Sequence, residues 1–297
     1  MESRPLKVMT TYGVITATLN AAAHVRTALA SIWAQSTAPR EVIVIDGGST
    51  DGTLDAVAES VEVARRRGVR TPVRILRQSS PIGIAGAWNE AIAELSSDVV
   101  FLLNSDDSYE PHAARAVMRS FDEDPTADIV HARARFIREN GESLGICAPT
   151  WINRVGIQCR SVHCATFVRR DVYARVGGFD PAYSTTLDVD FIERCWRRGM
   201  KFRYVPEVVT NFRLGGISNS HRDRADWETL CIGLRHSRTK VPPLLAYFVR
   251  RGLMRPLGLA GFNLRLRAES GAPRPTPTPA MSARKPVSTA IAAGDAV

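Results

Sequence analysis

The strongest constraint on this chain is the stretch Val99-Val-Phe-Leu-Leu-Asn-Ser-Asp-Asp-Ser-Tyr109. The apolar run from Val99 to Leu103 reads as a strand buried on both faces, the pattern of a central parallel strand between two helix layers. It breaks off into Asn104, Ser105, Asp106 and Asp107. Polar side chains released at the carboxyl end of such a strand stand where open α/β sheets bind ligands. Two adjacent carboxylates repel each other there unless something positive lies beside them, and hard oxygen ligands suit Mg2+ or Mn2+. The competing reading is that Ser105 to Asp107 cap the next helix, expected over residues 111–121 with Pro111 near its start.

The preceding segments repeat the same design. Gly13 to Leu19 is short and β-branched and reads as strand 1, and Asn20 ends it, placed to cap a helix over residues 22–35. Glu41-Val-Ile-Val-Ile-Asp46 is strand 2, followed by the turn Gly47-Gly-Ser-Thr-Asp-Gly52 and a helix over residues 53–67. Val73 to Arg77 is strand 3, and residues 85–95 form the helix leading into the Val99 strand. Strands alternating with helices give a parallel sheet with right-handed crossovers. Parallel strands end on the same edge. Thr18 and Asn20, Asp46, and Asn104 to Asp107 therefore converge on one rim, which separate helix caps do not predict.

The second half is less regular. Strands are expected over residues 127–137, 163–170 and 201–209, with helices over 171–176 and 186–198 and Thr186 as N-cap of the latter. From Arg235 to Arg267 basic residues interleave with apolar ones and no acidic residue intervenes. Such a segment reads as a basic amphipathic helix for an anionic membrane surface, or as a helix packed on the domain with a solvated basic face. Residues 269–297 are rich in Pro, Ala, Ser and Thr and are expected to be a disordered tail.

A length of 297 residues allows one large α/β domain or two small ones. The net charge of +9 implies an anionic partner such as a nucleotide phosphate or a membrane surface. Five cysteines with no CxxC argue against a disulfide framework or a structural zinc site and fit a reducing cytosol. The first apolar segment reads as a strand rather than a leader, and no run approaches a membrane-spanning length. The expected location is therefore cytoplasmic, peripheral on the inner face of the cell membrane. Nucleic acid is not an expected partner, because the basic residues lack a recognition motif with stacking aromatics.

The set Val14-Ile-Thr-Ala-Thr-Leu-Asn20, Ser31-Ile-Trp-Ala-Gln-Ser36, Glu41 to Thr53, Leu102-Leu-Asn-Ser-Asp-Asp107, His163-Cys-Ala-Thr-Phe167, Gly177-Gly-Phe-Asp180, Leu187-Asp-Val-Asp190 and Phe212-Arg-Leu-Gly-Gly-Ile-Ser218 resembles, in order and spacing, the family 2 glycosyltransferases of bacterial cell-envelope, glycolipid or polysaccharide type. The resemblance covers about residues 12–220. It implies the α/β GT-A fold: a Rossmann-like, mostly parallel central sheet flanked by helices. The implied organisation is a glycosyltransferase domain over residues 1–220, with a nucleotide-sugar half (about 12–110) and an acceptor half (about 111–220). A basic amphipathic helical segment (221–268) and the tail follow.

The resemblance also implies roles. Thr18 and Asn20 line the base pocket and Asp46 contacts base or ribose, with an Asx turn before Gly47 as its structural alternative. Asn104-Ser-Asp106 occupies the DXD position, so Asp106 ligates Mn2+ or Mg2+, Asp107 is the second candidate ligand, and Asn104 serves a ribose or outer-sphere role. Asp188 is the general base of an inverting transfer, with Asp190 beside it on the substrate side. Gly83, which with Pro81 stands in place of the family's Asp-x-Gly, His163 on the acceptor side, and Arg213 or Arg77 as a diphosphate contact complete the set. The implied donor is a UDP, dTDP or GDP sugar and the acceptor a lipid-linked or saccharide hydroxyl. Asn104, Trp88 and Leu187 depart from the family pattern, which keeps open a catalytically inactive, membrane-associated nucleotide-sugar scaffold. A different nucleotide-sugar enzyme is disfavoured by the lack of a Gly-rich, Lys-bearing phosphate loop after strand 1.

Overall fold

The structure, a computed structural model, describes residues 9–149, 162–215, 222–237, 239–249 and 251–252. A nine-stranded sheet organises them. Strands β1 (Tyr12–Thr18), β2 (Glu41–Asp46), β3 (Val73–Arg77) and β4 (Val99–Leu102) pair in parallel in the spatial order β3-β2-β1-β4. Helices α1 (Val25–Trp33), α2 (Thr53–Arg66) and α3 (Gly83–Glu94) make the crossovers.

The unbroken apolar runs follow from two cores, one on each face. Val42, Val44, Val99 and Phe101 pack in a cluster with Val25 and Leu29 of α1, Val57 of α2 and Phe121 of α4 (Ala113–Glu123). Ile43, Ile45, Val100 and Leu102 pack on the other side with Trp88 and Ile92 of α3. Each such side chain contributes about 1.5–3 kcal/mol on full burial, so neither face of these strands tolerates polar alternation.

Beyond β4 the sheet changes sense. β4 pairs antiparallel with β8 (Thr166–Arg169), which pairs antiparallel with β6 (Ile129–Ile137). β6 runs parallel to β9 (Phe202–Arg213), and β7 (Ser143–Cys147) folds back on β6. The two-residue β5 (Ser108–Tyr109) pairs with β9. The mostly parallel arrangement thus holds for the first four strands and gives way to a mixed second half. Helices α5 (Arg170–Val176) and α6 (Leu187–Arg197) join the Trp88 core, and α7 (Arg222–His236) adds Ile232 to it. α8 (Val241–Val249) follows.

Several expected boundaries move. The helix expected over 22–35 spans only Val25–Trp33, and its N-cap is His24, because Asn20 is engaged elsewhere. The last strand extends to Arg213 rather than ending at Val209, since β6 and β5 supply partners along its length. The strand expected from His163 starts only at Thr166, after a 3-10 turn over His163–Ala165. No helix among the described residues is long and apolar enough to cross a membrane. The tail beyond residue 252 and much of the basic segment lie outside the described residues.

Candidate active site

The rim where β1, β2 and β4 end holds two groups of polar residues. In the first, Asp46 is fully buried and its carboxylate accepts from Gly48 N and Ser49 N, 3.0 Å each, and from the Ser49 hydroxyl. Asp46 therefore builds the turn after β2, and the Asx-turn alternative describes its contacts. Asn20, in the left-handed region at φ 50°, donates its N–H to Ser49 Oγ at 2.9 Å and accepts from Thr50 N at 3.0 Å. It ties the end of β1 to the β2 turn instead of capping α1. Asp51 likewise serves this turn, accepting from Ala22 N and Thr53 N. Thr18 is buried at the end of β1, and its hydroxyl has no protein partner among the described residues. Arg77, the register partner of Asp46 on β3, stands exposed at the same rim.

In the second group, the turn after β4 is clamped by Arg213. Its backbone N–H donates to Asp107 Oδ1 at 3.0 Å, its Nε to the Asp106 carbonyl at 3.2 Å, and its Nη1 to the carbonyls of Arg138 and Glu139 at 3.3 and 2.6 Å. The guanidinium expected on a diphosphate is thus spent on carbonyls joining the β4 turn to the β6–β7 turn. The helix-cap reading of residues 105–107 does not hold: α4 begins with His112 as N-cap. Asp107 is 2% exposed, and burial together with the neighbouring Asp106 charge pushes its carboxyl well above the usual range. Asp106 is more open. Burial raises its pKa, opposed by His24 and Arg213, and among the described residues no other residue's donor engages its carboxylate.

That difference decides the fit of a cation. Mg2+ and Mn2+ sites of this kind use one or two carboxylates plus waters and substrate phosphates. Asp106 offers an unengaged hard oxygen donor. Asp107 has one oxygen committed to Arg213, and its other oxygen is buried 4.0 Å from His163 Nε2. The residues present fit a single-carboxylate site at Asp106. Asn104 stands half-buried beside it. His163 itself is desolvated, which pulls its pKa down to about 4, so at neutral pH it faces Asp107 as an uncharged ring and not as an ion-pair partner.

Asp188 and Asp190 part company on α6. Asp188, in the first turn, is half-buried and accepts from Val189 N at 2.9 Å. Burial pushes its carboxyl up to about 6, against the lowering effect of the helix-terminal N–H groups. Asp190 is fully buried, with Oδ2 on Arg194 Nε at 2.7 Å and Oδ1 on His236 Nε2 at 3.3 Å. Its expected substrate role gives way to a link between α6 and α7. Gly83 opens α3 at φ 77° and supplies the positive-φ residue that the turn into that helix requires.

Aromatic and amide contacts join the two halves. The His163 ring lies 5.2 Å from Trp88, Trp88 lies 4.9 Å from Phe179, and Phe179 lies 4.9 Å from Phe191 of α6. Asn89 of α3 grips the backbone of Phe179 at both N–H and carbonyl, 2.8 Å each. A Cβ at Gly178 would sit 2.4 Å from Asn89 Oδ1, so this approach requires glycine. In the sequence Trp88 stands only as a departure from the family pattern, and Gly177-Gly178 is the available signal for close backbone contact. A cavity of about 680 Å3 opens at the opposite edge of the sheet, beside Tyr12 and Arg40, and takes no part in this rim.

A parallel half-sheet continued by a mixed half is the architecture of the GT-A fold. Solved structures agree with that fold. A Pyrobaculum calidifontis mannosyltransferase in complex with GDP-Man and Mn2+ aligns with TM-score 0.60 and 20% identity over 85% of this chain and 73% of its own. S. aureus TarS aligns with TM-score 0.59 and 17% identity over 88% of this chain and 46% of the TarS chain. Residues 13–155 match the glycosyl transferase family 2 profile. A PGL/p-HBAD biosynthesis glycosyltransferase of Mycobacterium bovis is 29% identical over 216 residues, 72% of this chain and 81% of that protein. The likeness to glycosyltransferase family 2 thus spans residues 13–155, just under half of the chain.

Proposed function

We propose that the protein is an inverting, metal-dependent glycosyltransferase that moves a sugar from a nucleoside-diphosphate sugar to an acceptor hydroxyl. The observation that carries this reading is the unengaged Asp106 carboxylate, presented by a β4 turn that Arg213 locks in place. In this reading residues 12–110 hold the donor, with Thr18 and the Asp46 turn around the base and Asn104 near the ribose. Asp106 holds Mn2+ or Mg2+, which when bound offsets charge on the departing diphosphate. Arg77 supplies a basic contact at the same rim.

Residues 111–220 present the acceptor, and Asp188 takes the proton from its hydroxyl. A base with a pKa near 6 is ionised at neutral pH yet still a useful proton acceptor. The complexes of S. aureus TarS with UDP-GlcNAc and of the Pyrobaculum enzyme with GDP-Man support a nucleotide sugar as the donor class. The mycobacterial PGL/p-HBAD biosynthesis glycosyltransferase supports glycosyl transfer as the reaction.

Membrane association is part of this proposal. α8 exposes Val241, Leu245 and Phe248, and α7 exposes Trp227 at 57%, whose ring lies 6.4 Å from Tyr247 of α8. An apolar patch of this kind next to a basic segment suits an anionic lipid surface. The basic face is smaller than the sequence implied, because Arg235 pairs with Asp180 and Arg251 with Asp223.

A thermal-shift panel of UDP, GDP and dTDP, each with and without Mn2+ or Mg2+, tests the donor site. One diphosphate is expected to raise Tm only with metal, and Asp106→Ala is expected to abolish the shift. No shift with any nucleotide would overturn the reading in favour of an inactive scaffold.

A further inference from the structure

The segment that delivers Asp188 is not held by its own helix. Residues 184–186 precede α6, and Thr186, its N-cap, makes no side-chain cap bond to it. All three residues instead turn their N–H groups and hydroxyls toward one carboxylate from α7. Glu228 Oε1 accepts from Ser184 N at 2.9 Å and Ser184 Oγ at 3.0 Å. Glu228 Oε2 accepts from Thr185 N and Oγ1 at 2.9 and 2.7 Å, and from Thr186 N and Oγ1 at 3.0 and 3.1 Å. Arg224 adds a seventh donor to Oε1, also at 3.0 Å.

Glu228 is 4% exposed. Burial alone would raise its pKa; the bonds from Ser184, Thr185 and Arg224 outweigh it and hold the carboxyl near 2. The same helix holds this segment at both flanks. Arg235 Nη1 donates to Asp180 Oδ2 at 2.8 Å, and His236 reaches Asp190. A buried anion gathering six loop donors is a costly arrangement unless the loop's position matters, because hydroxyls and N–H groups at a surface turn are otherwise satisfied by water.

We infer that Glu228 is a positioning residue for the reaction: it fixes residues 184–186 so that Asp188, two residues further on, meets the acceptor hydroxyl. The inference rests on the reading of Asp188 as the base. It assigns α7 a part in turnover although α7 lies outside residues 13–155 and contributes no group to the donor rim. Displacing a reacting carboxylate by about 1 Å costs on the order of a hundredfold in rate.

The test measures release of nucleoside diphosphate from UDP-GlcNAc or GDP-mannose, whichever the protein binds, with water as the accepting hydroxyl, in the full chain and in Glu228→Ala, Glu228→Gln and Asp188→Asn. Glu228→Ala is expected to lower kcat about tenfold to a hundredfold with donor KM within about twofold, and to speed amide exchange at residues 184–189. Glu228→Gln keeps one accepting oxygen, so its kcat falls between those of Glu228→Ala and the unaltered chain. Unaltered kcat in a folded Glu228→Ala, alongside an inactive Asp188→Asn, would overturn this inference and leave the base in place. Should Glu228→Ala not fold, unaltered kcat in Glu228→Gln has the same force. Full turnover by Asp188→Asn would instead remove the base, and this inference with it.

Discussion

The two sides of the site are built differently. On the side proposed to hold the donor, the β2 turn largely satisfies itself: Asp46 bonds residues two and three places ahead, and Asp51 bonds Thr53. On the acceptor side almost every functional segment is held from far along the chain. Glu228 reaches back more than forty residues to the Asp188 loop, Asn89 of α3 holds Phe179, and His236 reaches Asp190. The β2 turn is thus held within and between neighbouring strand–turn–helix units, and the β4 turn is clamped from afar by Arg213, whereas the residues around Asp188 are held by the assembled fold. Damage to the two turns should appear in nucleotide binding, and damage around Asp188 in turnover.

The largest effect that would sharpen this contrast is at Asp106. Asp106→Ala should remove metal-dependent nucleotide binding, read by calorimetry, while leaving Tm without ligand within a few degrees. Unchanged binding would break the assignment of the donor side. Arg213→Ala is expected next. It strips a guanidinium from three carbonyls in two turns and should cost about 2–3 kcal/mol in denaturant unfolding while weakening nucleotide binding.

The pH dependence separates the sides again. Turnover should fall as pH drops through about 6, because Asp188 must be ionised, whereas nucleotide binding should not follow that limb. The stability sign runs the other way. A carboxyl raised from 3.8 in the folded state costs stability once ionised, so Asp188→Asn should gain about 1–2 kcal/mol near pH 7 and nothing below about pH 4. Equal stability at both pH values would show that the carboxylate is not desolvated. The smallest effect on chemistry is expected from Leu245→Asp with Phe248→Asp: co-sedimentation with anionic liposomes should fall about tenfold and turnover on a soluble substrate should stay. Cutting the chain before α7 would confuse this test, because it also removes Glu228.

The same contrast explains what could be read from the sequence. β1 to β4 and their helices are written in continuous apolar runs and 3.6-residue spacing, and the convergence of Thr18, Asp46 and Asp106 on one rim follows from parallel pairing alone. The second half depends on pairings that no local pattern encodes. Ser108–Tyr109 is a strand only because β9 lies beside it, and β8 joins β4 antiparallel across more than sixty residues. Arg213 was legible as a cation near the site but not as a clamp on carbonyls. Asp190 was legible as a first-turn carboxylate with Arg194 one helical turn on, yet its second partner, His236, is supplied by the packing of α7. Glu228 carried no signal at all, being one acidic residue in an ordinary charged helix.

The most direct test of the account is the turnover of Asp188→Asn beside its affinity for the donor nucleotide. The account predicts kcat lower by about a thousandfold with the nucleotide Kd unchanged. Transfer at the unaltered rate would contradict it.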